Sequence, residues 1–166
     1  KSDYNKNYIY SGYGKPEYFW NNFDEIRKYI FIDYNKINQI VDKIGKNKKI
    51  ALHVRLGDYL KYTEYNVLNI NYFKLALDKF NLNEYEIILY SDDFKKANEM
   101  LKPLKLNIKN ANEYFTDDES HILMMALSDV IICSNSTFSL SACYLNEIFE
   151  FNKSSKYIIP SIWMTT

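Results

Sequence analysis

Residues 53–59 carry the side chains most able to do chemistry in this chain: an imidazole, a guanidinium and a carboxylate around a glycine. They follow an apolar run at residues 50–52, which predicts a buried strand. In an open α/β sheet, ligands bind beyond the carboxyl ends of the strands. Arg55 can donate two parallel hydrogen bonds to a phosphate, and His53 and Asp58 flank it. The stretch is therefore typical of a site for a nucleoside diphosphate.

Two further polar segments follow apolar runs in the same way. Residues 91–93 read Ser-Asp-Asp, and residues 134–139 read Ser-Asn-Ser-Thr-Phe-Ser. Because parallel strands end at one edge of a sheet, we expect the three segments to face a shared cleft. Each segment is also an ordinary helix N-cap, and that interpretation stays open. At Ser136 and Thr137 both interpretations can hold, since the N–H groups of a helix N-terminus attract phosphate.

The alternation of elements predicts the fold that positions these segments. Strand candidates are residues 49–54, 86–90, 107–109, 130–133 and 156–159. Helical patterns cover residues 94–104, 119–127 and 138–149 between them. This βαβα order predicts an α/β fold, a Rossmann-like three-layer sandwich with a mainly parallel sheet.

The length of 166 residues predicts a single domain over residues 1–166, with residues 1–47 as a mainly helical lead-in. Within the lead-in, Ile26, Tyr29 and Ile30 fit one helix, and residues 37–44 fit another.

Composition limits the classes of function. The 21 Lys and Arg balance the 21 Asp and Glu, so nothing indicates a nucleic-acid partner. Cys133 and Cys143 sit in apolar contexts and are expected to be reduced core residues. No signal peptide is visible, and no apolar run approaches the roughly 20 residues of a membrane span. These features predict a cytoplasmic protein.

Other site types are less well supported by the sequence. The P-loop and dinucleotide glycine patterns are absent. His121 lies on a predicted helix without the Cys/His spacing of a zinc site. Asp92 and Asp93 could hold Mg²⁺ in an unrelated hydrolase, an alternative that stays open.

Taken together, these segments resemble the α-1,2-fucosyltransferases of glycosyltransferase family 11. The matching segments, in chain order, are residues 12–19, 53–59, 90–93, 123–125, 131–139 and 159–163. The resemblance implies the C-terminal half of a GT-B-type enzyme that binds GDP-fucose and transfers fucose with inversion and without a metal. It also implies a glycan acceptor and an N-terminal half belonging to a longer chain.

The resemblance further implies roles for individual residues. Arg55 would hold the β-phosphate and His53 would contact guanine. Thr137, with Ser136 beside it, would lie where a hydroxyl residue contacts the phosphates, and Asn135 would be a further substrate-binding residue.

Three further positions of the family pattern bear on the site. Asp92 and Asp93 would lie near the nucleotide or its sugar. His121 stands where relatives have an aspartate that contacts guanine. Leu56 stands where the family usually has a second arginine.

The general base for the acceptor hydroxyl is less defined. Asp58 and Glu64 are the nearest carboxylates after the first predicted strand, and Asp58 could instead orient Arg55. Two further alternatives remain: a GDP-sugar-binding domain that is inactive without an N-terminal half, and a transferase for another nucleotide sugar.

Overall fold

The computed structural model describes residues 22–62, 64–65 and 68–161. Five parallel strands form one sheet in the order β3-β2-β1-β4-β5. They are β1 (Lys49–Val54), β2 (Glu86–Ser91), β3 (Ile108–Asn110), β4 (Val130–Ile132) and β5 (Lys156–Ile158). The predicted strands agree with these bounds to within one residue, and the predicted α/β fold class is confirmed.

Helices cover both faces of the sheet. The α-helices of the described residues are α1 (Phe23–Arg27), α2 (Tyr34–Ile44), α3 (Ile70–Leu77), α4 (Phe94–Leu101), α5 (Asp118–Ala126) and α6 (Thr137–Phe149). Short 3₁₀ segments follow at Asp58–Lys61, Leu82–Glu84, Lys102–Leu104 and Ala111–Glu113. The predicted helix over residues 94–104 is therefore α4 followed by a 3₁₀ turn.

Alternate residues of the central strands pack against opposite layers, which makes the three-layer sandwich. Ala51 and Ile88 contact the cluster formed with α2, α5 and α6. Leu52 and Leu89 contact the cluster formed with α3 and α4. All six residues of β1 are buried, and all but Lys49 and His53 are apolar, as is usual for a strand covered on both faces.

The lead-in contributes to the same layers. Asp33 caps α2 by accepting hydrogen bonds from the N–H groups of residues 35 and 36. Ile37, Ile40 and Ile44 form the buried stripe of α2, and the helix ends at Gly45, whose φ of 70° suits glycine.

The helix predicted from Ile26, Tyr29 and Ile30 is wrong in its extent. Helix α1 ends at Arg27. The N–H of Tyr29 then donates to the carbonyl of Ile26, three residues back, as in a turn and not four residues back as in an α-helix. Tyr29 is 81% exposed, whereas Ile26 and Ile30 pack against α6. Of the three residues predicted to form one apolar helix face, only Ile26 and Ile30 are therefore packed.

Three findings bear on the other expectations from the sequence. Cys133 and Cys143 are free and buried, as expected. Over the described ranges, no helix combines the length and the apolar character that crossing a bilayer requires. Residues 1–21 lie outside the described part, so the single-domain assignment over residues 1–166 remains a prediction.

Candidate functional site

The strand order creates a crevice at the carboxyl edge of the sheet. The chain moves outward from β1 through β2 to β3, then returns to place β4 on the other side of β1. In open α/β sheets, ligands bind at such a reversal point. Ser134 joins the two strand ends there, because its hydroxyl accepts from the Arg55 N–H at 2.9 Å and donates to the His53 carbonyl at 3.1 Å.

The Arg55 guanidinium is held in place at this edge. Its Nη2 donates to Asp58 Oδ1 at 2.8 Å, and its Nη1 lies 3.3 Å from Asp92 Oδ2. The guanidinium also lies over the ring of Tyr59, 5.5 Å from the ring centre. The Arg55 side chain remains one-third exposed. Because a guanidinium has five N–H donors, these contacts orient it and leave donors for a bound anion.

A close approach between two loops supports this arrangement. Asp92 Oδ1 accepts a hydrogen bond from the Leu56 N–H at 3.0 Å. A Cβ atom at position 57 would overlap Asp92 Oδ2, so glycine lets the carboxylate lie where it does without shifting. Sequence reasoning missed this positioning role of Gly57 and Asp92. The only sign of this contact in the sequence is the glycine within residues 53–59.

The N-terminus of α6 borders the same crevice. Ser136 caps the helix by accepting from the Phe138 N–H at 3.3 Å, and Thr137 is its exposed first residue. Tyr59 donates its hydroxyl hydrogen to the carbonyl of Asn135 at 3.1 Å. The first-turn N–H groups of this 13-residue helix therefore lie beside the loop that carries Arg55.

A cavity of about 120 Å³ opens beside Arg55, between the strand ends and helices α5 and α6. It is lined by His53, Arg55, Tyr90, Ser91, Asp92, Asp118, His121 and Phe138. Two aromatic contacts shape its walls. The His53 and Phe138 ring centres are 5.5 Å apart, and the Tyr90 and His121 rings meet edge to face at 5.6 Å.

Two polar side chains of this cavity are buried. Burial, with a smaller contribution from the Arg55 charge, lowers the pKa of His53 to about 3, so its ring is neutral. Burial raises the pKa of Tyr90 above its ordinary value, so its hydroxyl keeps its hydrogen. Neither His53 Nδ1 nor the Tyr90 hydroxyl has a hydrogen-bond partner within the described residues.

Sequence comparison decides the family. The sequence model of glycosyl transferase family 11 matches residues 2–163. The chain belongs to this family. It is thus a member of a glycosyltransferase family, as the resemblance of its motifs predicts. No curated protein sequence matches the chain significantly.

Solved structures show that this member of family 11 shares its fold with POFUT1. A structure of POFUT1 in complex with GDP matches with a TM-score of 0.59 and 16% identity, over 89% of this chain and 52% of that one. A structure of POFUT1 in complex with GDP-fucose matches with a TM-score of 0.56 and 15% identity, over 87% and 50%. The chain therefore spans about half the length of the solved structures that it matches.

The site of this family 11 chain brings together most of the residues singled out in the sequence. His53, Arg55, Asp92 and His121 line the cavity. Asp58 pairs with Arg55. Residues 135–137 directly precede Phe138 of the lining; Asn135 and Ser136 are buried and Thr137 is exposed. His121 is not free to turn, because its Nε2 lies 2.6 Å from the carbonyl oxygen of Phe115.

Two of the singled-out residues lie apart from the cavity. Asp93 caps α4 through the Lys96 N–H and forms an ion pair with the Lys96 side chain at 2.9 Å. The hydrogen bond from that side chain holds the pKa of Asp93 below its ordinary value. Glu64 lies exposed on the turn after the 3₁₀ segment Asp58–Lys61. The capping interpretation therefore describes Asp93, and Asp92 alone of this acidic pair faces the cavity.

The carboxylates of Asp92 and Asp93 contact different partners, which bears on metal binding. Asp92 is directed to Arg55 and Asp93 to Lys96. Throughout the described ranges, no three His, Cys, Asp or Glu side chains gather in an arrangement that could hold a metal ion. Metal-independent transfer stays a prediction for this family 11 chain.

Proposed function

We propose that this chain is the donor-binding half of an inverting fucosyltransferase that transfers fucose from GDP-fucose to a sugar hydroxyl, with α-1,2 linkage. One observation carries the proposal: Arg55 and Phe138, a first-turn residue of α6, line one cavity at the reversal point of the sheet. A fixed cation and a helix N-terminus at this place suit a diphosphate. Family membership and the POFUT1 fold agree with this assignment.

The chemistry is a single in-line displacement at the anomeric carbon of the donor sugar. The acceptor oxygen forms the new bond to this carbon while the bond to the β-phosphate oxygen breaks. Negative charge therefore grows on the departing GDP. A guanidinium that is already oriented stabilises this charge more in the transition state than in the ground state. Asp58 and Asp92 supply that orientation for Arg55.

The acceptor hydroxyl must also lose its proton. Asp58 is in direct contact with Arg55 at 2.8 Å, which supports an orienting role for its carboxylate. Glu64, the other candidate, is exposed on the turn after the 3₁₀ segment, apart from the cavity. Asp58 and Glu64 stay the two candidates for the proton acceptor within this proposal.

A second candidate function is a nucleotide-sugar-binding domain with no transfer activity of its own. The observation that favours it is length, since the chain spans about half of the POFUT1 structures that it matches. An acceptor site formed with further residues would then be required for turnover.

Calorimetric titration beside a transfer assay tests these functions. The 166-residue chain is titrated with GDP-fucose, GDP, GDP-mannose and UDP-galactose, and transfer to a galactoside is followed with and without EDTA. We expect binding of the guanosine compounds, tightest for GDP-fucose, with no effect of EDTA. Binding without transfer supports the second candidate. Equal binding of UDP-galactose, or activity that EDTA abolishes, would overturn the proposal.

A further inference from the structure

The wall of the cavity that belongs to the sheet comes from two adjacent strands. His53 on β1 is paired in register with Tyr90 on β2. Neighbours paired in this way carry their side chains on the same face of a sheet. Tyr90 belongs to the cluster formed with α2, α5 and α6, so this face is the one that α5 and α6 cover. His53 and Tyr90 therefore form the sheet-side wall of the cavity, and both are in its lining.

Both side chains of the sheet-side wall hold polar atoms that the described part of the fold does not use. His53 is 3% exposed and Tyr90 is 1% exposed. Neither His53 Nδ1 nor the Tyr90 hydroxyl has a hydrogen-bond partner among the described residues. Leaving a buried hydroxyl unsatisfied is costly. A ligand that enters the cavity and bonds this hydroxyl is therefore favoured.

Neighbouring rings hold the Tyr90 side chain before any ligand binds. Its ring meets the ring of His121 edge to face, with the centres 5.6 Å apart. His121 is itself held, because its Nε2 lies 2.6 Å from the carbonyl oxygen of Phe115. A side chain that is already ordered loses little conformational entropy on binding. The Tyr90 hydroxyl is thus a preorganised hydrogen-bonding group.

Charge indicates which part of a nucleotide meets the sheet-side wall. Burial lowers the pKa of His53 to about 3 and raises the pKa of Tyr90, so both side chains are uncharged. Among the described residues that line the cavity, Arg55 is the only lysine or arginine. A phosphate buried against an uncharged wall would lack a counter-charge, whereas Arg55 supplies one. The uncharged base of the nucleotide therefore suits the sheet-side wall.

We infer that the Tyr90 hydroxyl is a specificity contact for the base, bonding the far edge of a purine and favouring it over a pyrimidine. The inference rests on the proposed function and adds a specificity-determining residue to it. In a purine nucleotide the ribose is attached to the five-membered ring, so the six-membered ring extends further from the ribose than a pyrimidine does. A tyrosine hydroxyl can donate to or accept from the polar groups on that edge.

The test uses the unaltered chain, Tyr90→Phe and Tyr157→Phe. Phenylalanine keeps the ring that packs against His121 and removes only the hydroxyl. Tyr157→Phe is the matched control, because the Tyr157 hydroxyl donates to Glu147 at 2.8 Å and Tyr157 is not in the cavity lining. Each chain is titrated calorimetrically with GDP, GDP-fucose and UDP. Thermal unfolding of each chain is measured without nucleotide.

Tyr90→Phe should have opposite effects on stability and on binding. Without nucleotide its melting temperature should rise by roughly 2–4 °C, because a buried unsatisfied hydroxyl is removed. Its affinities for GDP and GDP-fucose should fall by the same factor, roughly fivefold to fiftyfold, while the affinity for UDP changes by less than about twofold. Tyr157→Phe should bind all three nucleotides normally and should not gain stability, because it loses a hydrogen bond that is already made.

Four results would overturn the inference. The first is unchanged GDP affinity in Tyr90→Phe. The second is an equal loss for UDP, which places the contact at the ribose or the phosphates, and the third is a loss confined to GDP-fucose, which places it at the sugar. The fourth is a melting temperature that does not rise, since the hydroxyl would then be satisfied already. If no nucleoside diphosphate binds the unaltered chain, the proposed function itself fails.

Discussion

Replacing Asp92 with alanine should destabilise the protein through one lost acceptor. Asp92 Oδ1 accepts from the N–H of Leu56, a residue that is only 4% exposed. A buried N–H left without an acceptor costs about 1–3 kcal/mol. The ion pair with Arg55 is partly exposed and adds at most about 1 kcal/mol. We expect a loss of about 2 kcal/mol in the free energy of unfolding, which lowers the melting temperature by roughly 4–8 °C in a protein of this size.

Asp92→Asn separates the two contributions. The amide oxygen of asparagine can still accept from the Leu56 N–H, whereas the charge facing Arg55 is lost. Its loss in unfolding free energy should stay below about 1 kcal/mol. Urea denaturation of both variants measures the difference. Equal losses in Asp92→Asn and Asp92→Ala would refute the role of the Leu56 hydrogen bond, and so would an unchanged midpoint in Asp92→Ala.

Three further perturbations test neighbouring contacts. Gly57→Ala forces the Asp92 carboxylate to move, so it should lower the free energy of unfolding by about 1–3 kcal/mol. The loss should be smaller when the same change is made in Asp92→Ala, and equal losses in the two backgrounds would exclude the contact. Ser134→Ala removes the acceptor of the Arg55 N–H and should cost about 1–3 kcal/mol in urea denaturation, a result that an unshifted midpoint would contradict. His53 has a folded pKa of about 3, below its unfolded value, so the unfolded chain binds the extra proton and stability falls on acidification below the unfolded pKa. Between pH 6.5 and 5 we expect a slope that steepens from about 0.7 to about 1.3 kcal/mol per pH unit and that His53→Gln removes, whereas a flat profile in the unaltered chain would show that His53 is not buried neutral.

Much of the fold follows from local patterns. Residues 50–52 and 130–133 are apolar throughout, which is typical of a strand buried between two helical layers. The parallel sheet then brings the segments after the strands to one edge without further information. The extent of α1 could not be predicted in this way. The apolar pattern runs on to Ile30, although the helix has already ended at Arg27. Ile26 and Ile30 pack against α6, a contact that the local sequence does not show.

Less of the site could be predicted, because it depends on contacts between distant residues. Adjacent aspartates look equivalent in a sequence, yet Asp92 faces Arg55 and Asp93 caps α4. The overlap that excludes a side chain at Gly57 comes from a loop about 35 residues away along the chain.

The central claim is that Arg55 holds the diphosphate of the donor, and a calorimetric titration of GDP tests it most directly. The chain has two arginines, so Arg27→Ala, on α1 against Phe149, is a matched control for Arg55→Ala. We predict that GDP binds Arg55→Ala roughly tenfold to a hundredfold more weakly than the unaltered chain, because a charge-assisted contact is lost, while Arg27→Ala binds normally. Unchanged GDP affinity in folded Arg55→Ala would contradict the claim.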